Sequence, residues 1–336
     1  MPERSAALPP VAPVAAAPPL AFLQRMKLLD VLPVLVLVGL VVFFATQADS
    51  FLGSRNLLVI SGQVGILLLV SLGATLVIVA GSIDLSVGSV ILLTGAILSR
   101  LIVAGHESTV LVLLAAIAIV ALAGLLNGAI FTFGRVPSFI ATLGTLSFFS
   151  GLGLTINGGR SINFDAPGVL ELAIGQWIPN IQNSAIIGIT AFVVVYGLAR
   201  FTRFGLYLYA IGGNERVVAL SGVPLRRYKI LAFVLSGITA ALSGLLITAQ
   251  LSSSGPSLGS TSLLDSLAAI VIGGTALSGG VGGVHRTFLG VLIITVLVNG
   301  LNQLGVQDFA QIMIKGAVIV IAAIFTMASQ RGLTIK

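Results

Sequence analysis

Apolar runs follow one another along most of the chain, each near the length a helix needs to cross a bilayer, about 20 residues for a hydrocarbon core of about 30 Å. They fall near residues 31–48, 57–80, 87–104, 109–134, 136–157, 183–200, 230–251, 264–279, 287–305 and 309–328. Short polar or glycine-rich interruptions separate them, so the pattern predicts an all-α polytopic membrane protein with about ten transmembrane helices. The second and eighth runs end in "VAGSIDLSVGS" and "VIGGTALSGGVGG", which predicts glycine-rich helix breaks. Such breaks are tolerated at membrane depth where they are buried in protein or line a cavity. Residues 73–97 and 267–293 both read apolar, glycine-rich, apolar, a pattern that fits two related halves in parallel orientation.

Composition sharpens this picture. Of 336 residues, 57% are hydrophobic and 8% charged, against about 25% charged in soluble domains. Forty glycines suit membrane helices that pack closely through small residues. Cysteine is absent and the two histidines, His106 and His285, lie far apart. Disulfides and thiolate metal sites are thereby excluded, and no cofactor or metal is expected.

A net charge of +7 would suggest nucleic acid in a soluble protein, but here its location decides. Of the seventeen basic residues, Arg55, Arg100 and Arg160 fall in connections on one side and Lys315 within the last run. The other thirteen fall on the opposite side. The positive-inside rule makes that side, with both termini, cytoplasmic. Membrane lipid is the expected partner and nucleic acid is not. The Ala/Pro-rich residues 1–30 predict a disordered cytoplasmic tail, ahead of a transmembrane domain at 31–330. The largest expected loops are cytoplasmic 201–229 and periplasmic 158–183; Trp177 and Pro179 in the latter suggest a segment lying at the interface.

The densest charge is in "GGNERVVALSGVPLRRYK", residues 212–229. Gly213 breaks the preceding helix, and Asn214 is a favoured N-cap with Glu215 in the first turn. Arg216, Val217, Val218 and Leu220 then make about two turns, the last three exposing apolar surface, before Ser221, Gly222 and Pro224 end the helix. Such a helix suits a groove in a cytoplasmic partner, and equally a loop that only carries inside-facing charge. In the break from Gly81 to Gly88, Asp84 is placed to cap the next helix through the amides of Ser86 or Val87. An acid in an apolar region is also a candidate for proton coupling or substrate binding.

Asn127, Thr142, Ser147, Asn299, Asn302 and Gln303 are polar positions within spans, with Phe148 beside them. Asn299, Asn302 and Gln303 share one helical face. Neutral amides and hydroxyls suit a transient path for a polyol, or hydrogen bonds between helices worth about 0.6 kcal/mol each. Lys315 is expected to snorkel outward or pair with Asp308 or Asp265.

"LYAIGGNERVVALSGV" resembles the cytoplasmic coupling segment of ribose-type ABC importer permeases. The segments "AGSIDLSVGS", "GRVPSFIATLGTL", "RFTRFGLYLYAIGGN", "QLSSSGPSLGSTSLLDSLAAIVIGGTALSGGVGG" and "NGLNQLGV" are similar to the same family, over roughly residues 55–328. The resemblance implies a permease subunit of the bacterial inner membrane that dimerises, binds a cytoplasmic ATPase pair and accepts a monosaccharide from a periplasmic binding protein. Asn214 to Val223 would then be the coupling helix. Where the family usually carries small residues, this chain has Val217 and Val218. No G-x-x-x-x-G-K-[ST] motif is present, and "GGTALSGGVGG" lacks the lysine needed to meet phosphate, so ATP hydrolysis is expected of a separate subunit. The competing readings are a permease for nucleosides or branched-chain amino acids, and an ion-coupled secondary transporter acting alone.

Overall fold

The computed structural model describes residues 19–105 and 109–331, and its architecture is helical throughout apart from one two-stranded ribbon. Among the described residues five helices are long and apolar enough to cross a bilayer: α2 (Ser54–Val79), α5 (Ser138–Asn157), α7 (Asn183–Phe201), α10 (Leu225–Leu251) and α12 (Val284–Gln303). Between them run α1 (Pro19–Gln47), α3 (Val87–Val103), α4 (Thr109–Gly134), α6 (Pro167–Ile174), α8 (Arg203–Gly213), α9 (Glu215–Leu220), α11 (Ser262–Ile272) and α13 (Asp308–Arg331). Strands β1 (Ile162–Asn163) and β2 (Ser253–Ser254) pair antiparallel.

One expected boundary is corrected. Residues 19–30 of the expected tail are helical and continue into α1, while residues 1–18 lie outside the described residues. The run 264–279 is not one spanning helix. α11 has 11 residues, about 16 Å of helix, and a glycine-rich loop replaces the remainder. Its entry also dips inward, because the Gly259 carbonyl packs against Gly88 at the start of α3.

Burial separates core from periphery. The most apolar stretch of α2 is 83% buried, whereas those of α5 and α7 are 28% buried. A helix apolar on all sides is either enclosed or faces lipid; α2 is enclosed by α7, α10, α11 and α12. Close approach is carried by small residues: a Cβ on Gly188 of α7 would collide with the backbone of Gly65 in α2. Some buried hydroxyls return to their own helix, as Thr75 does to the Ser71 carbonyl (2.6 Å) and Thr94 to that of Val90 (2.8 Å), while Ser243 of α10 donates across to the Ile66 carbonyl of α2 (3.0 Å). The outer surface is apolar instead, with Val31, Leu35, Val38 and Val42 forming an exposed stripe on α1.

Connections sort to opposite ends of the bundle. At one end Arg100 donates to the Ile156 carbonyl (2.6 Å), Ile162 pairs with Ser254, and Ser50 donates to Gln303 (2.9 Å). At the other, the α2–α3 break, the α8–α9 junction and the α11–α12 loop touch one another. The basic cluster of 200–229 belongs to this second end, referred to below as the basic end.

Candidate functional site: the capped helix α9 and the breaks beside it

α8 ends at Gly213, and Asn214 caps α9 by accepting the Val217 amide at its Oδ1 (3.2 Å). Gly222, at φ 77°, then turns the chain away. Glu215, Arg216, Val217, Leu220 and Ser221 are exposed on α9, with Leu220 at 90%. Val218 is the exception, being 8% exposed. Its expected place among the apolar knobs is therefore corrected: a helix of this length presents one face outward, and Val218 anchors the other to the protein. Val217 and Leu220, three residues apart, form the outward apolar face.

α9 is tied to the bundle twice. Glu215 pairs with Lys229 of α10 at 2.7 Å, and the buried Lys229 ammonium also lies 4.8 Å from the Phe131 ring centre of α4. The second tie is made of backbone. Gly280 donates its amide to the Val79 carbonyl (3.0 Å), and a Cβ on Gly279 (φ 88°) would stand 2.7 Å from Gly81 Cα. A Cβ on Gly280 (φ 73°) would stand 2.8 Å from the Gly213 amide nitrogen. Three glycine segments from the α2–α3 break, the end of α8 and the α11–α12 loop thus meet with no side chain between them. Tyr209 of α8 adds a hydrogen bond from its hydroxyl to the Gly282 carbonyl (3.0 Å). Burial pushes the Tyr209 phenol above its ordinary value, which keeps it a neutral donor.

The α2–α3 break is wired by side chains from three other helices. Asp84, 4% exposed, accepts the Ser86 amide (3.0 Å) and hydroxyl (2.7 Å) at Oδ1, and the Ser236 hydroxyl of α10 (2.8 Å) at Oδ2. Asn127 of α4 donates to the Ser86 hydroxyl (2.7 Å). From α5, the Ser138 hydroxyl accepts the Ile83 amide (3.0 Å) and the Thr142 hydroxyl that of Leu85 (3.1 Å). Asn127 and Thr142, expected in a solute path, are here buried parts of the break. Gly88 abuts the Gly259 carbonyl.

The α12 amides also have partners. Asn299 and Asn56 of α2 exchange hydrogen bonds (2.9 and 3.0 Å), and Gln303 donates to Asn56 (2.9 Å). Asn302 accepts from Gln311 of α13 (2.6 Å). The structure therefore clamps α12 to α2 and α13 through the face expected to line a path. Ser147 and Phe148 stand on the exposed side of α5, the Ser147 hydroxyl donating to the Leu143 carbonyl (3.3 Å). Lys315 pairs with Asp265 at 2.6 Å, one of the two acids expected for it. The partners Asn56, Ser138 and Ser236 went unnoticed in the sequence, because single polar residues in apolar helices carry no local mark of their neighbours.

Residues 56–323 match the family described as the branched-chain amino acid transport system / permease component. The chain belongs to that family of permease components. It is 40% identical over 293 residues to the ribose import permease protein of Bacillus subtilis (strain 168), covering 87% of this chain and 91% of the relative. Against the ribose import permease protein of Escherichia coli (strain K12) it is 37% identical, covering 90% and 94%. The D-allose transport system permease protein of the same strain is 29% identical, covering 84% and 86%. No solved structure matches the chain. Membership in a transport permease family makes the contacts at the basic end a candidate force-transmission site rather than a catalytic one.

Proposed function

We propose that the chain is the membrane-spanning subunit of an ATP-driven importer for a monosaccharide: a pentose, hexose or related polyol delivered by a periplasmic binding protein. ATP is hydrolysed by a separate cytoplasmic subunit. The observation that carries the reading is α9, a capped helix whose apolar outward face, Val217 and Leu220, is held out from the basic end beside Arg216 and Ser221. Gly213, Asn214, Glu215 and Gly222 shape and orient it, and Val218 seats it. Differential binding of nucleotide by the ATPases displaces this helix, and a binding free energy difference is what shifts a two-state permease. The glycine contacts carry the displacement directly to the α2–α3 break and to the α11–α12 loop. The similarity to ribose and D-allose permeases favours a neutral sugar over an amino acid.

In this reading α1–α5, α7, α10, α12 and α13 cross the membrane, the short α11 with its glycine-rich loop takes the place of the tenth span, both termini are cytoplasmic, and the units α2–break–α3 and α11–loop–α12 are counterparts in two related halves. A second copy covers part of the exposed α5 surface, on which Phe139 and Leu143 stand to one side and Phe148 and Leu152 to the other, since large apolar patches at membrane depth are met by lipid or by protein. Ser147 and Phe148 enter a path only in that homodimer. Asp84, Asn127 and Thr142 act as the hinge wiring, and Asn299, Asn302 and Gln303 as the clamp beside the path. Reconstitution with the ATPase and binding protein tests the function: sugar uptake should require ATP and both partners. Uptake by this chain alone, driven by an ion gradient, would establish the secondary-transporter reading instead.

A further inference from the structure

One face of α4 stays exposed among the described residues. Leu122, Leu126, Ile130 and Phe133 stand on it, spaced four, four and three apart and therefore in one stripe. On the opposite face Gly124 and Gly128 press against Phe233 and Ile230 of α10. The stripe runs for about 16 Å of helix and ends on two arginines. Arg226 of α10 holds its guanidinium 5.5 Å from the Phe133 ring centre, a stacking that fixes where the charge sits. Arg135 lies two residues beyond Phe133 at φ 55°, in the left-handed position after a helix that glycine usually fills. A large side chain kept in such a conformation points to a use for it. The segment "GRVPSFIATLGTL" that carries it enters the site described above only through Ser138 and Thr142. Arg135 and Arg226 are both exposed, and neither meets an acid among the described residues. Glu215 is already taken by Lys229.

We propose that this corner of α4 and α10 binds an anionic phospholipid, its acyl chain along the stripe from Leu122 to Phe133 and its phosphate held by Arg135 and Arg226. The inference requires a chain embedded in a bilayer, and neither the import reading nor the orientation of the termini. An apolar stripe at membrane depth is met by lipid or by protein, and the uncompensated charge at its end selects between them. A water-soluble subunit reaches only the end of the stripe, and the second copy is assigned to α5. A phospholipid matches the whole length, apolar along the helix and anionic where the helix stops. Guanidinium groups donate paired hydrogen bonds to phosphate oxygens and are weakly hydrated, so they suit the headgroup boundary. Phosphatidylcholine presents the same phosphate with a trimethylammonium beside it, which two guanidinium groups oppose. A headgroup of net negative charge is therefore preferred.

The purified full-length permease in mild detergent tests this, offered phosphatidylglycerol and phosphatidylcholine of identical acyl chains in equal amounts, with the retained lipids counted by native mass spectrometry. The wild type should retain phosphatidylglycerol in preference, and less so at high salt. Arg135→Gly suits the local backbone better than arginine does, so combined with Arg226→Gln it should melt no lower than the wild type. The double variant should nevertheless retain one phosphatidylglycerol fewer per protomer. An arginine near an anionic surface is worth about fivefold in affinity; the site should therefore weaken about fivefold in Arg226→Gln alone and about tenfold or more in the double variant. Phe133→Leu preserves the stripe and removes the ring that positions Arg226, and should lower the preference part-way. Equal retention of the two lipids by the wild type overturns the assignment, as does an unchanged preference in Arg226→Gln and the double variant. An unchanged preference accompanied by loss of ATPase copurification would give the two arginines to the protein partner instead.

Discussion

Asp84 and the junction glycines are where single residues decide most. Asp84 gathers three donors, the Ser86 amide and the hydroxyls of Ser86 and Ser236. Asp84→Asn keeps an acceptor for Ser86, and its amide can donate to the Ser236 hydroxyl. Asp84→Leu strands all three, and each buried unsatisfied group costs about 1–3 kcal/mol. The Leu variant should therefore lose several degrees of thermal stability in detergent and much of its folded yield, while the Asn variant retains folding and uptake. Abolished uptake in a folded Asn variant would mean that the charge itself is used. Gly279→Ala forces a side chain into a left-handed conformation, about 1–2 kcal/mol, and against Gly81 Cα. Gly213→Ala meets nothing within 4 Å. The first should weaken stimulation of ATP hydrolysis by the loaded binding protein, and the second should leave it unchanged; equal effects would remove the junction from the transmission route.

Among the elements, α9 separates docking from folding. Leu220→Glu places a charge on the exposed face, so the permease should fold normally and fail to copurify its ATPase. An unpaired carboxylate buried in a partner groove costs several kcal/mol, and about 1.4 kcal/mol is already tenfold in affinity. Val218→Glu places the same charge inward and should reduce folded permease before any partner is added. Retained ATPase binding by Leu220→Glu would make α9 a connector only. The helix itself is legible in the sequence, since the Asn214 cap and the Gly222 stop are local signals. Which of its residues face inward is not: over six residues the pattern carries too few turns to define a buried side.

Across the whole molecule, the sorting of connections to two ends requires that the largest loops face opposite sides of the membrane. Ser221→Cys and Ser161→Cys, both exposed and each the sole thiol of its chain, should label from the cytoplasm and the periplasm respectively. Labelling of both from one side would overturn the orientation, and labelling from the reversed sides would invert it.

The sequence by itself determined the helical class, the break at 80–86, a glycine-rich end to the eighth run and the short capped helix at 215–220, because each is written in a run length, a glycine cluster or a local cap. The tertiary structure decided the partners. Asn299 meets Asn56, 243 positions away, Lys315 takes Asp265 rather than Asp308, and Gly81, Gly213 and Gly279–Gly280 converge in space. The reason lies in the solvent. In water the apolar face of a helix announces its core, but in a bilayer lipid-facing and protein-facing surfaces are both apolar. Hydropathy then says that a segment is embedded without saying which neighbour receives its few polar groups, and only packing settles that.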